Sequence, residues 1–144
     1  MSETDRKNKT CIPKQSTVQY AEAVMERTLS ALRTIRLGVS TDEFQIQSAI
    51  ERALCERGIP FKKEYRLAPR NRIDFYIEGG IGLEVKRGKP NAAQVTKQLK
   101  RYAAFEEIKA MILVVDKTLS IPDSISGKRC ILFGLNRLWG VALS

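Results

Sequence analysis

The spacing of apolar residues changes along the chain, and each spacing predicts an element. Across residues 16–37, "STVQYAEAVMERTLSALRTIRL", Val18, Ala21, Met25, Thr28, Leu32 and Ile35 recur at steps of three and four. That spacing predicts a helix with one apolar stripe, closed by Gly38, which either docks on a core or pairs with a second copy of the chain. A second helix is expected from Ser40, because "STDE" has the form of a capping box with Ser40 at N-cap and Glu43 at N3. Ile46, Ala49, Ile50, Ala53 and Leu54 supply its apolar face, and Gly58 and Pro60 end it. "FKKEYRL" (61–67) reads as a strand and "APRNR" as a connection, followed by a hairpin over 72–87. Pro90 and Asn91 open a third helix over 92–107, with Val95, Leu99 and Tyr102 on one side. "AMILVV" (110–115) is almost purely apolar, as expected of a strand covered on both faces. Residues 117–128 read as a loop broken by Pro122 and Gly127, "RCILFGL" (129–135) as a last strand, and Trp139 as the closure of a core edge.

The expected order is therefore α-α-β-β-β-α-β-β, an α/β (α+β) fold with a mixed sheet flanked by helices. The length of 144 residues suits a single domain over 16–144. It follows a tail, 1–15, that is expected to be disordered and lacks the apolar stretch of a secretory leader.

In the hairpin, "RIDFYIEGGIGLEVKRG", three charged residues interrupt the apolar pattern: Asp74, Glu84 and Lys86. Their relation depends on register. A two-residue Gly79-Gly80 loop would set Asp74 against Val85. A three-residue loop, Glu78-Gly79-Gly80, sets Asp74 against Glu84 and joins Ile73, Phe75 and Ile77 to the face of Leu83 and Val85. Hydrophobic patterning selects the three-residue loop, with Gly80 in a left-handed bulge. Carboxylates opposed at about 5 Å repel unless positive charge lies between them. Lys86 supplies one such charge, and a divalent cation bound by oxygen would supply two more. Gly82, on the same face, is expected to leave open space beside the cluster.

Composition narrows the chemistry. The chain contains no histidine, which excludes Ser-His-Asp and Cys-His catalysis and histidine-ligated zinc. Cys11, Cys55 and Cys130 are far apart and odd in number, which argues against a disulfide framework and fits a reducing, cytoplasmic setting. No apolar run is long enough to span a bilayer, so no membrane partner is expected. Net charge is +9, and residues 62–101 hold eleven basic residues against four acids. A concentration of that kind points to a polyanionic partner, nucleic acid before membrane.

Asp74, followed after nine residues by Glu84-Val85-Lys86, resembles the D…ExK core of the PD-(D/E)xK nuclease superfamily. "QLKRY" (98–102) places Gln98 and Tyr102 one helical turn apart and is similar to the QxxxY motif of the RecB-like subgroup. The resemblance covers about half the chain. It implies a restriction-endonuclease-like αβββαβ core over 40–116, with an extra N-terminal helix and a C-terminal strand. It also implies a metal-dependent phosphodiesterase, a deoxyribonuclease using Mg²⁺ with Mn²⁺ as a substitute. Asp74 and Glu84 would hold the cation with the Val85 carbonyl, Lys86 would orient water or stabilise charge, and Gln98 and Tyr102 would help position the substrate and the metal site. An acid on the first core helix is implied as well; Glu43 is the first choice and Glu51 the alternative. Lys62, Lys63, Arg66, Arg70, Arg72, Arg87, Lys97 and Arg101 are candidates for phosphate contacts, with DNA favoured over RNA. The competing expectation is a nucleic-acid-binding module of the same fold with little turnover, possibly a subunit of a larger complex. A homodimer through helix 16–37 would suit either.

Overall fold

The computed structural model describes residues 14–38, 41–117 and 119–135. The chain runs α1 (Lys14–Leu32), α2 (Glu43–Glu56), β1 (Phe61–Ala68), β2 (Asn71–Ile77), β3 (Ile81–Lys86), α3 (Ala92–Ala103), β4 (Ala110–Val115), β5 (Ser124–Ile125) and β6 (Lys128–Gly134). The strands form one mixed sheet in the order β1-β2-β3-β4-β6-β5. β1, β2 and β3 are antiparallel neighbours, while β4 runs parallel to both β3 and β6. The most apolar strands lie at the centre: every residue of β4 is buried, as is all of β3 except Lys86.

Two cores result, one on each face of the sheet. α1 and α2 cover a cluster containing Phe75, Ile77, Ile81, Leu83, Val85, Ile112 and Val114. α3 covers the opposite face, where Val95, Leu99, Tyr102 and Ile108 pack on Ile73, Met111, Leu113 and Val115. The fold is thus a mixed α/β layer structure with helices on both sides. No helix among the described residues is long and apolar enough to cross a membrane.

Several element ends differ from the sequence expectation. α1 begins at Lys14 and stops at Leu32, five residues short of Leu37. Thr34 Oγ1 donates to the Ala31 carbonyl and Arg36 to the Arg33 carbonyl, so side chains take over acceptors at the helix end. The stripe docks on the chain's own core through Ala21, Met25, Thr28 and Leu32, whereas Val18 is exposed. The capping box of α2 is formed by Asp42 and Gln45 rather than by Ser40 and Glu43. Asp42 Oδ1 accepts the Gln45 N–H at 2.8 Å, and Gln45 Oε1 accepts the Asp42 N–H at 2.9 Å. At the other end of α2, Gly58 (φ 67°) completes a Schellman closure in which the Ile59 N–H reaches the Leu54 carbonyl.

α3 ends at Ala103 rather than at residue 107, because Ile108 turns into the second core while side chains take the carbonyls of Phe105 and Glu107. The expected loop 117–128 contains β5, joined to β6 through Ser126 and Gly127, both at positive φ. Such a two-residue turn matches the twist of a hairpin. Ser40 and Trp139 lie outside the described residues, as does the expected tail up to residue 13.

Candidate functional site: a paired-carboxylate hairpin

The β2–β3 loop has the expected three residues, with Gly79 and Gly80 both at φ 92°. The register follows from it: Ile77 pairs with Ile81, Tyr76 with Gly82 and Phe75 with Leu83. One step further, at Asp74 and Glu84, the regular backbone ladder stops and carboxylates take its place. Glu84 Oε1 accepts the Asp74 N–H at 3.1 Å, and Asp74 Oδ2 accepts the Val85 N–H at 2.8 Å.

The break has a counterpart on β1. Pairing of β1 with β2 runs through Lys63–Phe75 and resumes at Tyr65–Ile73, skipping Glu64 and Asp74. Glu64 has φ 49°, in the left-handed region that a residue with a Cβ seldom occupies. Beyond this point the faces exchange: Phe61 packs with Phe75 on the α1–α2 side, whereas Tyr65 and Ile73 belong to the α3 side. Ile73 was expected on the face of Phe75 and Ile77, and the paired distortion moves it. It also fills the space expected beside Gly82, since a Cβ built there would stand 2.5 Å from Ile73 Cδ1.

Five of the predicted site residues converge. Lys86 Nζ stands 3.8 Å from Glu84 Oε2. Gln98 Nε2 donates to Tyr102 Oη at 2.9 Å and lies 3.4 Å from Glu84 Oε2. Tyr102 Oη donates to the Arg72 carbonyl at 3.0 Å, tying α3 to β2 beside the acids. Val85 takes part through its N–H. Glu43, at the start of α2, is exposed and accepts a bond from Gln47 at 3.3 Å. It does not touch the pair, but its charge bears on Asp74. Glu51, the alternative acid, is engaged with Lys63 at 3.1 Å.

Electrostatics mark the pair as under-compensated. Burial, and then the neighbouring Asp74, push the Glu84 carboxyl up to about 7, although the Asp74 N–H, Lys86 and Tyr102 act in the other direction. Asp74 is raised as well, first by burial, with Glu43 and Glu64 adding to the effect against the Val85 N–H and Lys86. Burial and Glu84 also raise the Tyr102 hydroxyl.

Among the described residues no three acidic, cysteine or histidine side chains lie close enough to form a ready cation cage. The donor set still suits a hard cation that keeps much of its water. Mg²⁺ is commonly held by one or two carboxylates rather than by an all-protein cage. A buried and a half-buried carboxylate facing one ammonium leave negative charge for such an ion to neutralise.

A groove of about 480 Å³ opens beside the pair, lined by Lys86, Asn91, Gln94, Lys97, Gln98 and Arg101 among others. Asn91 and Gln94 were not among the candidates. Their signal was helical spacing, because Gln94, Lys97, Gln98 and Arg101 fall on one face of α3. The other basic candidates are more dispersed. Lys63 is paired with Glu51, Arg72 lies 3.8 Å from Glu64 and Arg87 lies 3.8 Å from Asp116. Lys62 lies over the Tyr65 ring at 5.7 Å, and Arg66 and Arg70 are exposed near the β1–β2 turn. No family model matches the chain, and comparison with curated proteins and with solved structures gives no significant match.

Proposed function

We propose that the protein is a metal-dependent nuclease of the PD-(D/E)xK type, hydrolysing phosphodiester bonds with DNA as the favoured substrate. The observation that carries this reading is the convergence of Asp74, Glu84, Lys86, Gln98 and Tyr102 from three elements on one point. The element order from α2 to β4 agrees with the αβββαβ core implied by the same motifs.

Asp74, Glu84 and the Val85 carbonyl would hold Mg²⁺ or Mn²⁺. Such a cation, when bound, acidifies water and neutralises charge on the phosphoryl oxygens. In this role Asp74 and Glu84 must be ionised, so proton release from Glu84 accompanies loading. Lys86 keeps its ammonium close to Glu84 Oε2 and can meet the negative charge that develops at phosphorus. Gln98 and Tyr102 fix the orientation of Glu84, and the Tyr102 bond to the Arg72 carbonyl holds the strand carrying Asp74 at a set distance from α3. No histidine base is available, and a cation that acidifies water makes one unnecessary.

The test is cleavage of a panel of linear, circular, branched and single-stranded DNA and of RNA, with Mg²⁺ or Mn²⁺ and a Lys86→Ala control. Metal-dependent cleavage lost in the variant is expected. Salt-dependent binding by the wild type without cleavage would instead favour a binding module of the same fold.

A further inference from the structure

The eight basic candidates differ in what already neutralises them. Lys63, Arg72 and Arg87 face carboxylates within 4 Å. Lys97 and Arg101 are exposed on α3, and no described carboxylate pairs with either. Both line the groove that runs past Gln98 to Lys86, a groove whose lining contains three cations, three side-chain amides and no acid.

The amides add to this. Asn91 caps α3 by accepting the Gln94 N–H at 3.0 Å, so the groove lies against the positive end of the helix. Gln94 and Gln98 present amide donors without adding negative charge. Lys97 and Arg101 are one turn apart, roughly 6 Å along the axis. Within this groove the two form one row of cations, spaced to follow a single backbone.

Building on the nuclease reading, we infer that the α3 groove is the path of one nucleic-acid strand, with Lys97 and Arg101 each contacting a phosphate flanking the one delivered to Asp74 and Glu84. Lys63 on β1 and Arg72 on β2, both paired with acids, do not line this groove. Contacts of this kind hold the strand without reading its sequence.

The test is fluorescence anisotropy with a short labelled single strand of DNA, in EDTA to prevent cleavage, across a salt series. For the Lys97→Ala/Arg101→Ala double variant the slope of log K against log salt should fall in magnitude by about 1.4, from about 0.7 for each cation removed. Lys63→Ala/Arg72→Ala should keep the wild-type slope, and Lys97→Arg/Arg101→Lys should retain most of the binding. A wild-type slope in the α3 double variant, or a loss confined to the Lys63/Arg72 variant, would overturn the inference while leaving the nuclease reading intact. Failure of the wild type to bind the strand would also overturn the inference, while the nuclease reading would stand or fall on the metal-dependent cleavage panel.

Discussion

Glu84 Oε1 accepts the backbone N–H of Asp74 at 3.1 Å, so one buried acid is fastened to the strand that carries the other. The reciprocal bond from the Val85 N–H to Asp74 Oδ2 closes the arrangement at 2.8 Å. Side chains thereby replace ladder bonds at the point where two negative charges meet. Most of the protein's testable behaviour follows from that exchange.

Stability should fall as pH rises. The Glu84 carboxyl is raised from 4.5 to about 7, so between these values the folded protein holds a proton that the unfolded chain has released. This contribution is complete below about pH 4.5 and is lost as pH rises through about 7, at up to about 1.4 kcal/mol per pH unit. Asp74, also raised, acts in the same direction. With no histidine in the chain, little else titrates in that window. Thermal melts in EDTA should show Tm dropping between about pH 5 and pH 8, and Glu84→Gln should flatten the curve. A wild-type Tm that climbs through the window would contradict this assignment.

Removing one charge should stabilise the fold and abolish the proposed cleavage. Asp74→Asn keeps an oxygen for the Val85 N–H but relieves repulsion with Glu84. At about pH 8 it should raise stability by roughly 0.5–2 kcal/mol, the trade expected where an active site is strained. Urea denaturation read beside a cleavage assay checks both halves. A destabilised Asp74→Asn variant would mean that its carboxylate serves mainly as a structural acceptor.

Gly82→Ala should be costly because of Ile73. The added Cβ would lie 2.5 Å from Ile73 Cδ1 and 3.2 Å from Ile108 Cδ1. Overpacking of this kind costs about 1–3 kcal/mol. Ile73→Val deletes the offending methyl, so the double variant should recover part of the loss. A purely additive double-mutant cycle would show that the two side chains do not meet.

Tyr102→Phe should loosen the site without dismantling the fold. It removes the donor to the Arg72 carbonyl and the acceptor for Gln98. The expected loss is about 0.5–1.5 kcal/mol in stability, with a larger proportional fall in cleavage rate than in substrate affinity. A fall in affinity with the cleavage rate unchanged would assign Tyr102 to substrate binding alone.

Much of this site was legible because hydrophobic alternation constrains register. Only a three-residue loop keeps Phe75 and Ile77 with Leu83 and Val85, and the same loop sets Asp74 against Glu84. Helical spacing likewise carried Gln98 and Tyr102 to the same side of α3. The pleat exchange at Glu64 and Asp74 could not be read, because glutamate gives no signal for a φ of 49°. It moved Ile73 to the other core and filled the space beside Gly82. Two overlapping cap signals compete at the start of α2, and Asp42 with Gln45 takes the role expected of Ser40 with Glu43. β5 is not legible in the pattern although Ser126-Gly127 is a recognisable hairpin turn, since a two-residue strand carries almost no periodicity.

Calorimetric titration of Mn²⁺ into the metal-free protein asks whether Asp74 and Glu84 together hold a divalent cation. Saturable binding by the wild type is expected near neutral pH, with proton release seen as a dependence of the heat on buffer ionisation enthalpy. Both Asp74→Asn and Glu84→Gln should lose that binding. Absence of binding in the wild type, or undiminished binding in both variants, would contradict a cation site at this pair.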